Sequence, residues 1–205
     1  MASHALEAKY GLAASELLDA IDARFRLKVA LEGAVAEVQM AKKIAPLVGS
    51  VVERLEVHDL DGRPDFSIWL PGRQSPLLAE CKNIRESGKA CGEAYRVKGK
   101  VVAYKVETQK TRAATGDPTS RFYGTDQYHI LGVCLGKKTG DWADFLFART
   151  VDLACHAKHG HKLAVFQRVP LPDASDLSPW YADLSELLRH FDEPPCPASP
   201  STRRT

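Results

Sequence analysis

The spacing of apolar residues predicts that the chain begins with helices. Over residues 5–28 they recur at intervals of three and four, as one face of a helix requires. The residues that form this face are Leu17, Leu18, Ile21 and Phe25. A second helical pattern covers residues 29–46 and stops before Gly49. We therefore expect two consecutive helices before the first strand.

One acidic residue interrupts the inward face of the second predicted helix. That face comprises Ala30, Gly33, Glu37, Ala41 and Ile44. A carboxylate among small apolar side chains is unfavourable to bury without a partner, so Glu37 is a candidate functional residue. Another face of this helix carries Glu32, Ala36, Gln39 and Lys43. We expect that second face to contact solvent.

After residue 50 the pattern changes to short apolar runs between turn signals. Predicted strands cover residues 51–58, 65–70, 77–82, 101–112, 128–135, 142–148 and 163–169. Residues 83–99 are predicted as a loop with room for a short helix, and residues 137–141 as a hairpin turn. A last helix is expected from Ser178, as its N-cap, to Phe191.

This order of elements predicts an α/β (α+β) fold in which helices flank a mixed β-sheet. We expect a single domain over residues 1–191. Residues 192–205 contain four prolines and no large apolar side chain, which is typical of a disordered tail.

The composition is that of an ordinary globular protein, with 44% hydrophobic and 26% charged residues among 205. No apolar run reaches the ~20 residues that span a bilayer, and the first residues lack a secretory signal. Five widely spaced cysteines favour reduced thiols over a disulfide framework. We expect a cytoplasmic protein without a membrane segment.

Basic residues are concentrated in one segment of the chain. Residues 82–121 contain ten Lys or Arg but only four Asp or Glu, although the formal net charge of the whole chain is only +2. Such a block is typical of a face that binds a polyanion. Taken without its neighbours, it also fits an unpatterned, solvated surface.

Three charged residues flank two neighbouring predicted strands. Asp65 begins one strand, and Glu80-Cys81-Lys82 ends the next after a short turn. Residues two apart in a strand point to the same face, so Lys82 lies beside Glu80. Two close carboxylates repel unless a cation separates them, and Mg²⁺ prefers oxygen ligands. The pattern favours Mg²⁺ bound by Asp65, Glu80 and the main-chain carbonyl of Cys81, with water activated against a phosphodiester.

The motif leaves two questions open. Lys82 could deprotonate the attacking water, if a nearby metal lowers its pKa, or it could only position that water. The alternative for the whole motif is a hairpin whose charged residues flank a turn without function. The sequence has neither a Walker-type phosphate loop nor a nucleophile elbow, which argues against NTP-driven and acyl-transfer chemistry.

Residues from about 30 to 135 resemble the PD-(D/E)xK nuclease superfamily, the fold of many restriction endonucleases. Pro64, Asp65, Glu80 and Lys82 match its signature in order and spacing, and Glu37 matches an acid that many members carry on the preceding helix. The resemblance implies a mixed sheet flanked by helices, Mg²⁺ bound by the acids, and a lysine that assists the attacking water.

The resemblance further implies a type II restriction endonuclease that cuts double-stranded DNA at a specific short sequence. A chain of this size has room for one active site, so cutting both strands suggests a homodimer. Such an enzyme holds phosphates and reads bases through Arg, Lys, Asn and Gln. The candidates are Asn83, Arg85, Lys98, Lys100, Lys105, Gln109, Lys110, Arg112 and Arg121.

Two other functions remain open on the sequence. One is a repair, resolvase or phage-type nuclease that reads DNA structure, and the other is an inactive DNA-binding module. A separate cluster has a spacing that could ligate zinc: Cys155, His156, His159 and His161. No second pair of Cys or His lies at the usual separation, so we expect a polar surface loop there.

Overall fold

The computed structural model describes residues 4–60, 62–86, 93–110 and 113–193. Within these ranges the helices are α1 (Ala5–Tyr10), α2 (Ala14–Asp22), α3 (Phe25–Ile44), α4 (Gly136–Thr139) and α5 (Leu184–Arg189). The strands are β1 (Arg54–Val57), β2 (Phe66–Trp69), β3 (Leu77–Asn83), β4 (Ala94–Val97), β5 (Lys100–Glu107), β6 (Ile130–Cys134), β7 (Phe145–Arg149), β8 (Cys155–His156), β9 (His159–Leu163) and β10 (Phe166–Val169). The protein is a mixed α and β structure with a mixed sheet, as the sequence predicts.

The single helix predicted over residues 5–28 is wrong, because two breaks divide it. α1 ends at Tyr10, and its C-cap Gly11 has a φ of +63°, in the left-handed region that favours glycine. α2 ends at Asp22 with Ala23 as its C-cap, and α3 begins at Phe25. None of the residues of α1 or α2 is buried. The apolar spacing therefore detects helices but not where each one ends.

α3 packs on the sheet through a face that differs from the predicted one. Its buried residues are Ala36, Met40 and Ile44, whereas Ala30 is exposed. Glu32, expected in solvent, is half-buried, and its Oε2 lies 2.5 Å from Nζ of Lys137. The reason is that alanines occur on several faces of this helix, so the sequence defines its inward face poorly.

The main sheet has five strands in the order β1-β2-β3-β6-β7. β1, β2 and β3 form an antiparallel meander, β6 pairs parallel to β3, and β7 returns antiparallel. A parallel neighbour requires a long crossover. Here the crossover includes β4 and β5, and these two strands form a separate three-stranded sheet with β10 in the order β10-β5-β4.

Several predicted boundaries differ from the structure. The loop predicted over residues 83–99 contains β4, and the strand predicted over 101–112 ends at Glu107. The hairpin turn predicted at 137–141 contains α4, and the strand predicted over 163–169 is divided between β9 and β10. The last helix begins at Leu184 with Asp183 as its N-cap, not Ser178. Most of the predicted tail, from residue 194, lies outside the described residues.

The main sheet separates two apolar clusters. One cluster fills the space under α3 and α5 and includes Phe66, Ala79, Cys81 and Phe147. The other lies on the opposite face and includes Leu131, Val133, Val106 of β5 and Val169 of β10. Because side chains alternate along a strand, Glu80 and Lys82 of β3 point away from the α3 cluster. They therefore lie on the face that the second sheet partly covers.

Candidate functional site

Strand pairing brings the two predicted acids together. Phe66 of β2 pairs with Ala79 of β3, and continuing this antiparallel register by one residue sets Asp65 beside Glu80. Asp65 lies just before β2, and its Oδ2 accepts a 2.7 Å hydrogen bond from the backbone N–H of Cys81. The local hairpin alone therefore positions both carboxylates.

Burial and like charge oppose the ionisation of Asp65. Loss of hydration and the neighbouring charge of Glu80 raise the pKa of Asp65 to about 7 from an ordinary value of 3.8. The Cys81 N–H and the Lys82 ammonium counteract this rise only in part. The site thus holds more negative charge than its own cations neutralise.

Glu80 is held by two donors on one oxygen. Only 5% of this residue is exposed. Its Oε1 accepts a hydrogen bond from the Lys82 ammonium and another, of 2.6 Å, from the Tyr123 hydroxyl. Among the described residues no group donates a hydrogen bond to Glu80 Oε2 or to Asp65 Oδ1. One oxygen of each carboxylate is therefore available to a ligand.

Lys82 is a protonated partner of Glu80 in this arrangement. Burial lowers the pKa of Lys82, but the charge of Glu80 and the hydrogen bond to it outweigh that effect, so the pKa is raised overall. Its Nζ also lies 5.5 Å from the centre of the Tyr123 ring. This geometry favours a positioning role for the lysine in the metal-free protein, and a base role would require the metal to reverse the shift.

Glu37 reaches the same site from α3. It is half-buried, and burial raises its pKa, while the charge of Lys82 opposes the rise. It lines the cavity that Asp65 and Glu80 also line. All four residues of the predicted catalytic set, including Lys82 beside Glu80, are thus brought to one place.

A cavity of about 570 Å³ opens over these carboxylates. Its remaining lining comes from residues 58–60 and 62–64 before β2 and from Lys110, Tyr123, Gln127 and Tyr128. His58 is fixed by a 2.9 Å hydrogen bond between its Nε2 and Oγ of Ser67. A cavity of this size admits part of a nucleotide or another small ligand.

Tyr123 and Tyr128 are site residues that the sequence did not reveal. The two rings meet edge to face, with centroids 5.2 Å apart. Burial and the charge of Glu80 raise the pKa of both phenols, so both stay protonated and can donate. Among the described residues the buried Tyr128 hydroxyl contacts no hydrogen-bond partner. No motif precedes either residue, so only the folded chain shows their place.

The donor set at this site fits Mg²⁺. Two carboxylates supply hard oxygen ligands, and each keeps one free oxygen. Within the described ranges, however, no group of three or more His, Cys, Asp or Glu side chains is close enough to hold a metal ion. Asp65 and Glu80 would be the side-chain ligands of a magnesium ion here, and main-chain oxygen and water would supply its other ligands. The carbonyl of Cys81 remains the predicted third ligand.

The second candidate metal site is the possible zinc cluster of Cys155, His156, His159 and His161. Cys155 and the three nearby histidines form the short β8–β9 hairpin, as a surface element. The His156 ring stacks on Phe122, with centroids 4.7 Å apart. Among the described residues, no group of three or more His, Cys, Asp or Glu side chains that could hold a metal is found at this hairpin.

Several predicted DNA contacts are engaged inside the protein. Asn83 Nδ2 donates to the backbone carbonyl of Glu32 at 2.9 Å, which ties β3 to α3. The Arg85 guanidinium lies 2.6 Å from Glu107 Oε2 and 5.1 Å from the Phe166 ring centre. These bonds give Asn83 and Arg85 structural roles, and using either for DNA would require breaking them.

The remaining basic candidates differ in position. Lys105 is half-buried over the rings of Tyr95 and Phe166, and Gln109 donates to Glu107. Arg121 donates to the Lys110 carbonyl and lines a second cavity of about 410 Å³. Lys98 and Lys100 are exposed around the β4–β5 turn, and Arg112 lies outside the described residues.

Lys110 is the predicted DNA contact that, within the described chain, lines the cavity over the acids. It lines the first cavity, and its Nζ lies 5.6 Å from the centre of the Tyr123 ring. Lys82 and Lys110 thus both contact the ring whose hydroxyl holds Glu80.

No family model, curated protein or solved structure matches this chain. No helix in the described part of the chain is long and apolar enough to cross a membrane. The interpretation of the site therefore rests on its own geometry.

Proposed function

We propose that this protein is a Mg²⁺-dependent endonuclease that hydrolyses phosphodiester bonds of double-stranded DNA, of the type II restriction kind. The observation that carries the proposal is the convergence of Asp65, Glu80 and Glu37 at one cavity, with Lys82 bound to Glu80. Paired carboxylates with free oxygens next to an ammonium suit a reaction in which a metal and a phosphate meet.

Each residue has a distinct task in the proposed reaction. When bound, Mg²⁺ would offset negative charge on the scissile phosphate and make a water more acidic. Asp65 and Glu80 are the residues that would hold the ion. Lys82 orients the phosphate and the attacking water, and Tyr123 fixes the Glu80 carboxylate through its O–H bond. Lys110 contributes positive charge at the mouth of the cavity.

The test is cleavage of unmethylated plasmid and phage DNA by the purified protein, with Mg²⁺ and with EDTA. We expect discrete fragments that require Mg²⁺. Lys82→Ala should abolish cutting and leave DNA binding largely intact, because its side chain touches the site and not a wider surface. Lys42→Ala, which removes an exposed lysine from α3, is the matched control and should cut normally.

The pattern of products separates the alternatives. Discrete bands support a sequence-specific enzyme, whereas a smear indicates a nuclease that reads structure or lacks specificity. Salt-sensitive DNA binding without Mg²⁺-dependent cutting would favour an inactive binding module. Strong cutting by Lys82→Ala would refute the assignment of this site.

A further inference from the structure

The cavity over the acids is lined by a buried polar group that has no partner in the ligand-free protein. Within the described chain five buried side-chain atoms lack a hydrogen-bond partner, and among them the Tyr128 hydroxyl is the one whose residue lines this cavity. Only 1% of Tyr128 is exposed. A buried hydroxyl without a partner makes the folded state less stable, so it requires an explanation. An acceptor supplied by a ligand in the cavity is such an explanation.

The Tyr128 ring is held firmly beside the acids. The next residue, His129, is tied to β3 by two hydrogen bonds. Its N–H donates to the Leu78 carbonyl at 2.7 Å, and its Nδ1 accepts from the Leu78 N–H at 2.9 Å. Leu78 lies two residues before Glu80 on the same strand, and the Tyr128 ring also meets Tyr123 edge to face at 5.2 Å. The position of the Tyr128 hydroxyl relative to the acids is therefore set before a ligand binds.

The Tyr128 hydroxyl is a donor that the neighbouring charges leave unused. Burial and the charge of Glu80 raise the pKa of Tyr128, and the charge of Lys82 opposes this rise. Both charged groups thus act on the hydroxyl, yet neither forms a hydrogen bond with it. Glu80 instead accepts from Lys82 and from the Tyr123 hydroxyl. Tyr128 therefore keeps a protonated O–H next to this pair for another acceptor.

We propose that the Tyr128 hydroxyl donates a hydrogen bond to a non-bridging oxygen of the scissile phosphate. The inference rests on the proposed nuclease activity and adds a substrate contact to it. The non-bridging oxygens share the negative charge of the transition state, so a fixed donor aimed at one of them speeds the reaction. Tyr128 keeps its own proton throughout, and no bond of the phenol forms or breaks.

The other groups of the cavity favour an anionic ligand with several acceptor oxygens. The cations Arg63 and Lys110 also line the cavity, so its lining attracts an anion as well as a metal. A neutral phenol suits the buried position beside Asp65 and Glu80. A further ammonium there would pair with the carboxylates that are to hold the metal, whereas a phenol contributes a donor without neutralising them.

The first test compares the same substitution in two neighbouring rings. In EDTA, Tyr128→Phe should unfold at a urea concentration equal to or above that of the wild type, because it removes an unpaired buried group. Tyr123→Phe should unfold at a lower urea concentration, because the buried Glu80 carboxylate loses a donor. A Tyr128→Phe midpoint well below that of the wild type would mean that the hydroxyl already has a partner in the free protein. That result would overturn the proposal.

The second test is single-turnover cleavage with Mg²⁺ and saturating DNA that carries the mapped cut site. Tyr128→Phe should lower the rate by roughly 10- to 100-fold, as expected for a lost hydrogen bond to a charged group. Tyr181→Phe is the matched control, because it removes the hydroxyl of a half-buried tyrosine outside the cavity, and it should cut at the wild-type rate. Unchanged cutting by Tyr128→Phe would refute this inference. A wild type that cuts no DNA would refute the nuclease proposal instead.

Sulfur substitution at the cut linkage separates a substrate contact from an effect on the fold. Sulfur accepts hydrogen bonds more weakly than oxygen does, so replacing a contacted non-bridging oxygen should slow the wild type. For one of the two stereoisomers, this slowing should be smaller in Tyr128→Phe by roughly 10-fold, because the contact is already absent. Tyr123→Phe should retain the full sulfur effect. If the sulfur effect in Tyr128→Phe equals that in the wild type for both stereoisomers, the hydroxyl does not contact the phosphate and the proposal is wrong.

Discussion

Asp65 should destabilise the protein at neutral pH when no metal is bound. Its pKa in the folded chain is about 7, against an ordinary 3.8, because the site is buried and Glu80 lies beside it. An acid with a raised folded-state pKa favours folding while it is protonated, and this contribution is lost as pH rises from about 4 through about 7. Replacing Asp65 by a neutral residue of the same shape should therefore stabilise the metal-free protein above that range.

The size of the effect follows from the shift. About three pH units at about 1.4 kcal/mol each give an upper value of about 4 kcal/mol at full ionisation. Part of the carboxylate contacts the open cavity, so we expect a gain of roughly 2–3 kcal/mol for Asp65→Asn. The asparagine oxygen can still accept the Cys81 N–H, which leaves this hydrogen bond in place.

The measurement is urea unfolding of wild type and Asp65→Asn in EDTA, near pH 4 and near pH 8. The variant should be clearly more stable at about pH 8 and close to wild type at about pH 4. Added Mg²⁺ should stabilise the wild type by mass action and the variant far less. Asp19→Asn, which neutralises an exposed acid on α2, controls for a general change in charge.

Two results would contradict this reasoning. A variant that is no more stable than wild type near pH 8 would mean that neither burial nor the charge of Glu80 disfavours the ionised form of Asp65 in the folded chain. A stability difference that is equal at both pH values would mean that ionisation of Asp65 is not its cause. Either result would also weaken the case for a cation between these acids.

Three further outcomes are expected from the structure. Tyr123→Phe removes the donor to Glu80 but keeps the ring, so it should slow cleavage by roughly 10- to 100-fold with DNA affinity unchanged, as single-turnover rates and gel shifts would show. Lys110→Ala should lower the slope of log affinity against log salt by about one, measured by fluorescence anisotropy. Gly132→Ala would put a Cβ 2.7 Å from Met40 Sδ, and the thermal midpoint should fall with a loss of about 1–2 kcal/mol.

The part of the site that could be predicted from the sequence is the part that local structure builds. Asp65 and Glu80 lie on adjacent antiparallel strands joined by a short turn, so alternation and turn residues are sufficient to bring them together. Lys82 follows from the two-residue period of a strand. The sequence points to Glu37 through an inward helix face that is only partly correct. Glu37 nevertheless lines the cavity, because it lies on α3, the helix that packs on the sheet.

The N-terminal helices show why periodicity alone fails. α2 is capped at its start by the Glu16 side chain, which accepts from the backbone N–H of Ala13. An alanine at the N-cap gives no sequence signal, so this boundary was missed. On α3 the apolar pattern extends to a second, exposed face that carries Leu27, Leu31, Ala34 and Val38. A helix with two apolar faces has no single inward direction in its sequence.

The basic segment shows a different limit. Counting charges could not show which of them already have partners inside the protein. Arg85 pairs with Glu107 at 2.6 Å, and Arg96 pairs with Glu93 at 2.9 Å. These acids belong to the same segment, so the excess of positive charge is spread over fewer free groups than the count suggests. Lys110 is the stronger candidate for a DNA contact, because its position in the fold, and not its charge alone, places it at the cavity of the acids.

The aromatic side of the site depends on contacts that are distant in sequence. Tyr123 lies in the irregular segment before β6, and this segment is tied down on both sides. The Tyr123 carbonyl accepts from the N–H of Leu163 at 2.9 Å, and Phe122 bridges to Gln109. The donor to Glu80 is therefore positioned by β9 and by the chain just after β5, not by the hairpin that carries the acids. A hairpin with the same two acids but without this segment would lack the hydroxyl that holds Glu80, so the motif alone does not define the site.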